Sequence, residues 1–457
     1  MDTIDITHSK NLGIVSYSNK IVLLNKLSMR WLAIPKSFST QLLSVLSGEP
    51  SNCTPSVLLK LNNALEHIGL SDFSESIVDT EQSRKKPILA RIQITNKCNL
   101  SCKYCFNDLN GGLASMDWNT LKNCIDFFIN RAKENRNIQF LFYGGEALIE
   151  WDILIKGINY ILENPNNKNN IYQICIITNG ILLDAKKINF LKENKVTIGI
   201  SYDGIKSNDI MRTYESGEKT SKKILSKIKL LNGYPSAYVL TTITKYNDKN
   251  IYKIVKELQD AEIPAISIRS FSPLDNAFSK SQLSPNPVNY INGLIKVIDG
   301  IVDKNIWRIR VETILRMMTP LITTDRLYSA PINYRCSAGI DVLYISCNGE
   351  IKGCDEIPSS LLPPIGNIQN SSHSYEELHK ITHNHSLEDK KCRSCNWLYI
   401  CRGGCTGNAL CENQSIGSKY KFGCLVQNAL YPVILDKLSE KKSILKEYFY
   451  YHTNQNH

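Results

Sequence analysis

The chain has 457 residues, 42% of them hydrophobic and 21% charged, with a formal net charge of +11. That suits two or three domains of an ordinary soluble globular protein. No run of about 18 apolar residues occurs, so no transmembrane helix is expected. The N-terminus MDTIDITHSKNLG has no basic segment followed by an apolar one, which argues against a secretory signal and for the cytoplasm. The lysines are scattered, reading either as a solvated surface or as attraction to an acidic partner such as a peptide or a nucleic acid; charge alone does not choose. In a reducing compartment the 15 cysteines point to metal or redox chemistry rather than disulfides.

In chain order, GIVSYS, KIVLLN and RWLAIP read as three short strands, and 38–47 and 55–69 as helices. Pro55 suits a first helical position and Gly69 the position just past an end. These elements make a small unit within 1–80, and the polar stretch 71–87 reads as a linker. Strands are then expected at 88–95, 138–143, 171–177, 196–202, 236–243 and 264–270. Helices are expected at 118–131, 151–162, 184–194, 218–232 and 248–260. Six β/α units predict a parallel sheet covered by helices, as a partial barrel or an open doubly wound sheet. Residues 276–330 read as a helical bridge, 331–430 as a loop-rich region with nine cysteines that metal centres could staple, and 431–457 as the end of one helix (425–440) and a polar tail.

In parallel α/β folds, sites form at the carboxyl ends of the strands. After the first strand comes KCNLSCKYCF, with Cys98, Cys102 and Cys105 spaced C-x3-C-x2-C. The second is followed by Gly144, Gly145 and Glu146, and the third by Thr178, Asn179 and Gly180. The fourth ends at Ser201 and Asp203, the fifth near Thr242 and the sixth at Arg269. Any one of these could be an ordinary turn; six on one rim are hard to explain so. Three thiolates match three corners of a cubane iron–sulfur cluster and leave one iron open. A structural zinc site is the poorer fit.

The C-x3-C-x2-C motif with Tyr104 before its last cysteine, followed by GGE, resembles the radical S-adenosylmethionine (radical SAM) superfamily over roughly 90–275. The resemblance implies a partial (β/α)6 TIM-like barrel over 88–275. It implies that the open iron chelates the methionine part of S-adenosylmethionine, and that one electron releases a 5′-deoxyadenosyl radical that abstracts a substrate hydrogen. It places Gly144, Gly145 and Glu146 beside the methionine amino group, Tyr104 near the adenine, and Ser201 and Arg212 at the ribose and carboxylate end. Asn179 and Thr242 complete the expected cofactor set. The usual GGEP is here GGEA, with Ala147, a mild departure.

The C-terminal cysteines resemble the seven-cysteine SPASM domain, which holds two auxiliary [4Fe-4S] clusters. By position, Cys392, Cys395, Cys401 and Cys424 would bind one. Cys336, Cys354 and Cys405 would bind the other, with Cys411 or Cys347 a possible fourth ligand or none. Three [4Fe-4S] clusters are thus implied. Asn348-Gly349 reads as a hairpin turn with Cys347 at its tip. Cys53, Cys124 and Cys175 fall in helices or a strand and read as buried small hydrophobes.

The N-terminal unit resembles the winged-helix-like element with which peptide maturases bind a leader peptide as an added strand. The expected substrate is therefore a precursor peptide with a leader, and the product a thioether or another side-chain crosslink. The alternative is formylglycine formation of the anaerobic sulfatase-maturing type, because Cys354-Asp355 resembles the cysteine and catalytic Asp of those enzymes. Asp355 and Arg269 are the expected catalytic residues, Asp355 as an acceptor of the substrate's proton. An electron donor such as flavodoxin or ferredoxin is implied, and neither nucleic acid nor a membrane is. A pure electron carrier would need neither an open iron nor a six-unit scaffold.

Overall fold

The computed structural model describes residues 11–47, 53–69, 87–105, 113–132, 136–165, 171–272, 281–323, 336–339, 341–357, 359–370, 390–413, 415 and 417–454. All but the last residue of the expected linker, and Phe106, lie outside them.

Strands β1 (Leu12–Tyr17), β2 (Lys20–Asn25) and β3 (Trp31–Pro35) form an antiparallel sheet in that order, followed by α1 (Ser39–Leu46) and α2 (Pro55–His67). Alternation along the strands divides two cores. Ile14, Ile21 and Leu23 face Leu42 and Leu61 of the two helices, while Val15, Val22 and Leu24 join the core of the main body. The unit is thus packed on both faces. Cys53 precedes α2 in a loop, half-buried, rather than lying in a helix.

The main body continues with β4 (Ile88–Thr95), β5 (Ser101–Cys102), α3 (Trp118–Ala132), β6 (Ile138–Gly144), α4 (Trp151–Leu162), β7 (Tyr172–Thr178), α5 (Ala185–Glu193) and β8 (Thr197–Ser201). Then come α6 (Ile205–Met211), β9 (Arg212–Thr213), α7 (Ser221–Lys229), β10 (Ala237–Ile243), α8 (Ile251–Asp260) and β11 (Ala265–Ser270). The chain closes with α9 (Pro287–Val302), β12 (Arg310–Val311), α10 (Glu312–Ile322), β13 (Val342–Ile345), β14 (Glu350–Lys352), β15 (Gly366–Asn367), α11 (Lys390–Arg393), α12 (Leu398–Cys401), α13 (Thr406–Asn413), α14 (Lys421–Leu438) and α15 (Ile444–Thr453).

The six strands expected from the sequence lie side by side in chain order, all parallel, within a ten-stranded sheet. A doubly wound sheet reverses its strand order part-way; this one does not, and its order is that of a partial barrel. Alternate residues separate the two faces. Ile88, Ala90, Ile92, Phe140, Phe142 and Ile198 are sealed in the large core. Leu89, Leu141, Tyr143, Cys175 and Tyr238 form a separate cluster on the opposite face.

Other features also differ from the sequence reading. The 342–352 hairpin extends the central sheet, because β13 pairs in parallel with β4, Leu343 opposite Ala90. The tail is not polar coil but α15, which buries Leu445, Tyr448, Phe449 and His452. That spacing is a helical stripe, interrupted in the sequence by charged and polar residues. Ser443 caps the helix, its Oγ accepting the Lys446 N–H. Helix α14 also runs unbroken through residue 431, so no boundary falls there.

Candidate active site

The Cys98 loop leaves β4 at Thr95 and crosses the end of β6. A Cβ at Gly144 would lie 2.1 Å from the Thr95 carbonyl oxygen, and one at Gly145 2.2 Å from that of Lys97. Only glycine allows this approach. The contact is locked by Gly145 N–H to Thr95 O and Glu146 N–H to Lys97 O, both 2.8 Å. Glu146 is 1% exposed. Its carboxylate accepts from Thr178 Oγ1 (2.6 Å), Asn179 N–H (2.7 Å) and Leu148 N–H (3.1 Å). Burial raises its pKa against those hydrogen bonds. The carboxylate therefore fixes the TNG turn. Asn179 in turn donates to Asn99 Oδ1 at 2.8 Å, its Nδ2 lying 3.9 Å from Cys98 Sγ.

The opposite side of the loop is held from β8 and β10. Cys102 pairs in a two-residue ladder with Arg212, and Lys103 N–H donates to Met211 O at 2.8 Å. Arg212, readable from sequence as a surface helix residue, is buried. Its Nη1 donates to the Tyr104 hydroxyl (2.7 Å), which donates to Asp203 Oδ2 (2.5 Å). Asp203 Oδ1 accepts the Thr242 N–H at 2.8 Å. Ser201 ends β8 half-buried.

The three thiols of the loop are near enough to act on one another. Burial pushes Cys102 up to about 11, with Cys105 and Cys98 adding to the rise and Arg212 opposing it. Cys98 is likewise raised by burial, Glu146 and Cys105. Among the described residues no three His, Cys, Asp or Glu side chains converge as a single metal ion needs. A cubane spreads its ligands over separate irons, one thiolate each, and this donor set fits it.

The C-terminal cysteines sort into two groups. Burial pushes Cys401 up to about 12, with neighbouring Cys395, Cys424 and Cys392 contributing. Cys405 is pushed up to about 11 by burial, with Glu356 and Cys336 adding, and Cys354 is raised by burial, its acidic neighbours and Cys405. Cys401 and Cys405, four residues apart, belong to different groups because Arg402, Gly403 and Gly404 between them all take positive φ (51°, 80° and 80°) and reverse the chain. Cys347 and Cys411 are buried. The Cys347 N–H donates to Gln93 Oε1 at 3.3 Å.

Asp355 is buried on the inner face of the sheet. Its Oδ2 takes Arg91 Nη2 at 2.8 Å and the Tyr143 hydroxyl, and its Oδ1 has no hydrogen-bond partner. The Arg91 guanidinium lies 5.0 Å from the centre of the Tyr143 ring. Arg269 does not join this group: it is exposed and meets Glu356 at 3.8 Å.

The profile of the Radical SAM superfamily matches residues 92–258, which span this rim from β4 to α8. The chain belongs to the radical SAM superfamily. It is 33% identical over 183 residues to an uncharacterized protein of Methanocaldococcus jannaschii, covering 40% of this chain and 62% of that one. It is 29% identical over 331 residues to the cysteine-type anaerobic sulfatase-maturating enzyme of Clostridium novyi, covering 69% of this chain and 86% of that one. Among solved structures it is similar to Streptococcus suis SuiB bound to precursor peptide SuiA, with a TM-score of 0.55 and 17% identity over 92% of this chain and 99% of that one. The protein is a radical SAM enzyme, the class that uses S-adenosylmethionine and [4Fe-4S] chemistry, and it is related to the anaerobic sulfatase-maturating enzymes.

Sequence reasoning named Asp203 only as the end of a strand and passed over Arg91, Tyr143 and Gln93 altogether. The signal was present: in ILARIQIT, Arg91 and Gln93 alternate with isoleucines, which puts two polar side chains on the face away from the helices. In this radical SAM enzyme that face is the interior of the sheet, where Tyr344 donates to Gln93 Oε1 at 2.7 Å.

Proposed function

We propose that this radical SAM enzyme modifies a ribosomally made precursor peptide, recognising its leader through the N-terminal unit and installing a thioether or another side-chain crosslink. The observation that carries this reading is the separate antiparallel sheet packed against the catalytic body. Its β3 edge borders a cavity of about 670 Å³ lined, among the described residues, by Trp31, Leu32, Ala33 and the basic Arg30, His67 and Lys446, with no acidic residue among those described. An acidic leader adding a strand there would meet complementary charge. The β1 edge is less available, since Asn396 Nδ2 donates to Ile14 O at 3.2 Å. SuiB, whose fold covers 92% of the chain, carries a precursor peptide in its crystal structure.

In this reading Cys98, Cys102 and Cys105 hold the cofactor-binding [4Fe-4S] cluster, Cys392, Cys395, Cys401 and Cys424 a closed auxiliary one, and Cys336, Cys354 and Cys405 a second auxiliary one. When bound, the first cluster supplies the electron that cleaves S-adenosylmethionine to the radical that removes a substrate hydrogen. The chain's own residues do the rest. The glycine pair and Glu146 fix the loop stem, and Arg212 presents its unpartnered, buried Nε toward an anionic ligand group. Arg91 and Tyr143 hold Oδ2 of Asp355, which leaves Oδ1 as the acceptor for the substrate's S–H or O–H.

A sulfatase-maturing reaction is favoured by one observation, the kinship with the Clostridium novyi enzyme, and makes the same demand on Asp355. The test is anaerobic reconstitution with dithionite, S-adenosylmethionine and a precursor peptide encoded beside the gene. A crosslink leaves the peptide lighter by two hydrogens with its sulfur retained. Formylglycine loses the sulfur and reacts with carbonyl reagents, and a sulfatase-derived peptide turned over in preference to the precursor would sink the leader-peptide reading. Asp355→Asn is expected to keep 5′-deoxyadenosine formation while peptide product falls by about 10²-fold or more.

A further inference from the structure

We propose that Asp203 is a positioning residue for cofactor cleavage: it holds Tyr104, and through Tyr104 it holds Arg212, so that the Cys98–Cys105 loop and the arginine form one preassembled unit.

Asp203 (1% exposed) and Arg212 (7%) are opposite charges in the interior. Charges so buried need a partner. Theirs is the Tyr104 hydroxyl, which receives Arg212 Nη1 at 2.7 Å and donates to Asp203 Oδ2 at 2.5 Å. Tyr104 stands between two cysteines of the loop, and the Arg212 backbone pairs with that of Cys102. The bridge therefore clamps the loop at a side chain and at the main chain together. A second path closes the ring: the Asp203 N–H donates to Asn208 Oδ1 (3.4 Å), Asn208 Nδ2 to Thr220 Oγ1 (2.8 Å), and Thr220 Oγ1 to Arg212 O (2.5 Å). Asn247 Nδ2 meanwhile pins the Asp203 carbonyl at 3.1 Å and that of Thr242 at 3.0 Å. Asp203 is thus the node between the ends of β8 and β10 and the loop. With Nη1 committed, the Arg212 Nε is the donor left buried without a partner, fixed in direction by the same bridge.

Asp203→Asn keeps the oxygen that serves Thr242 but turns an amide toward Tyr104. The hydroxyl then faces two donors, its own hydrogen has no acceptor, and Arg212 loses its counter-charge. Tyr104→Phe removes the bridge without touching Asp203.

The probe is S-adenosylmethionine itself, with no peptide present, so the outcome is independent of which peptide is modified. In the reconstituted full chain each single substitution is expected to weaken S-adenosylmethionine binding, by equilibrium dialysis, by at least about tenfold. Each should also shrink the change that the cofactor causes in the EPR spectrum of the reduced protein. The double variant should bind no worse than the weaker single, because Asp203 acts through Tyr104. Where Asp203→Asn does not retain iron, Tyr104→Phe carries the binding test. Asp203→Asn affinity within about twofold of the parent, or single losses that multiply in the double variant, would overturn the proposal.

Discussion

Around Cys98 the chain is held from three sides by groups that are not cysteines: a glycine-tight backbone contact with β6, a ladder with β9, and the buried Asp203–Tyr104–Arg212 bridge. Around Cys392–Cys405 the regular elements are two single turns of four residues, the second followed by a reversal of three positive-φ residues. That segment rests on the rest of the protein through few large anchors. Chief among them is Trp397, 3% exposed and stacked on Tyr431 with ring centres 4.8 Å apart. The rim is held by contacts within the protein itself. On the proposed reading, the C-terminal field takes its order from the clusters that join its thiols, as small metal-stapled modules do.

Iron removal should expose this difference most strongly. Chelation is expected to open 390–424 to proteolysis and rapid amide exchange, while the strands from 138 to 270 stay protected. Equal loss in both regions would show that the rim also depends on its metal. Gly145→Ala attacks the contrast from the other side. The new Cβ would meet the backbone oxygens of Lys97 and Asn96 at 2.2 and 2.6 Å, and backbone cannot yield as a side-chain tip can. The expected cost is at or above about 3 kcal/mol in urea unfolding, with cofactor cleavage lost and C-terminal iron retained.

The same contrast explains what was legible in sequence. The six strands and the cysteine spacings announce themselves through β-branched runs and fixed intervals, and strand ends fall within a residue or so of their expected places. The division of the C-terminal thiols into two sets was implied by the family resemblance and not by spacing alone, and the positive-φ reversal at Arg402–Gly404 was not read from the sequence. Less legible was anything made by residues far apart. Asp203 meets Tyr104 across 99 positions, and Tyr143 meets Asp355 across 212. No local pattern encodes such pairs; only the closing of the sheet does. Helix α15 was missed for a different reason, since Leu445, Tyr448, Phe449 and His452 form one buried stripe only at helical spacing, with Lys446 and Glu447 between them in sequence.

Acid offers a way to weaken the scaffold while aiming at neither cysteine region. His452 is 5% exposed, with Nε2 2.9 Å from Trp307 O. Burial pushes its pKa down to about 4, with Arg310 adding to the fall and the Trp307 carbonyl and Glu312 opposing it. The unfolded chain takes up this proton at higher pH than the folded one. Stability present above the unfolded pKa is therefore lost as pH falls toward the folded value, by at most about 3 kcal/mol. Urea midpoints should decline between pH 6.5 and 4, and His452→Gln should flatten that decline without changing cofactor cleavage at pH 7. An unchanged slope would move the acid sensitivity elsewhere.

The smallest effect is expected where the N-terminal sheet touches the C-terminal field. Asn396, between Cys395 and Trp397, donates to Ile14 O at 3.2 Å, and its Oδ1 lies 2.9 Å from where a Gly13 Cβ would stand. Asn396→Ala removes one hydrogen bond and should cost about 1 kcal/mol. The sheet has other holds on the body, including Trp31 Nε1 to Leu321 O at 2.8 Å and Lys20 to Asp436 at 3.1 Å. Amide exchange should therefore rise in β1 alone, with iron content unchanged. A drop in C-terminal iron would mean instead that the field borrows its order from the sheet as well as from its metal. The N-terminal unit and the C-terminal cysteine field would then be mechanically one piece, and a peptide strand added at β3, as proposed, would have a route to the chemistry through Asn396.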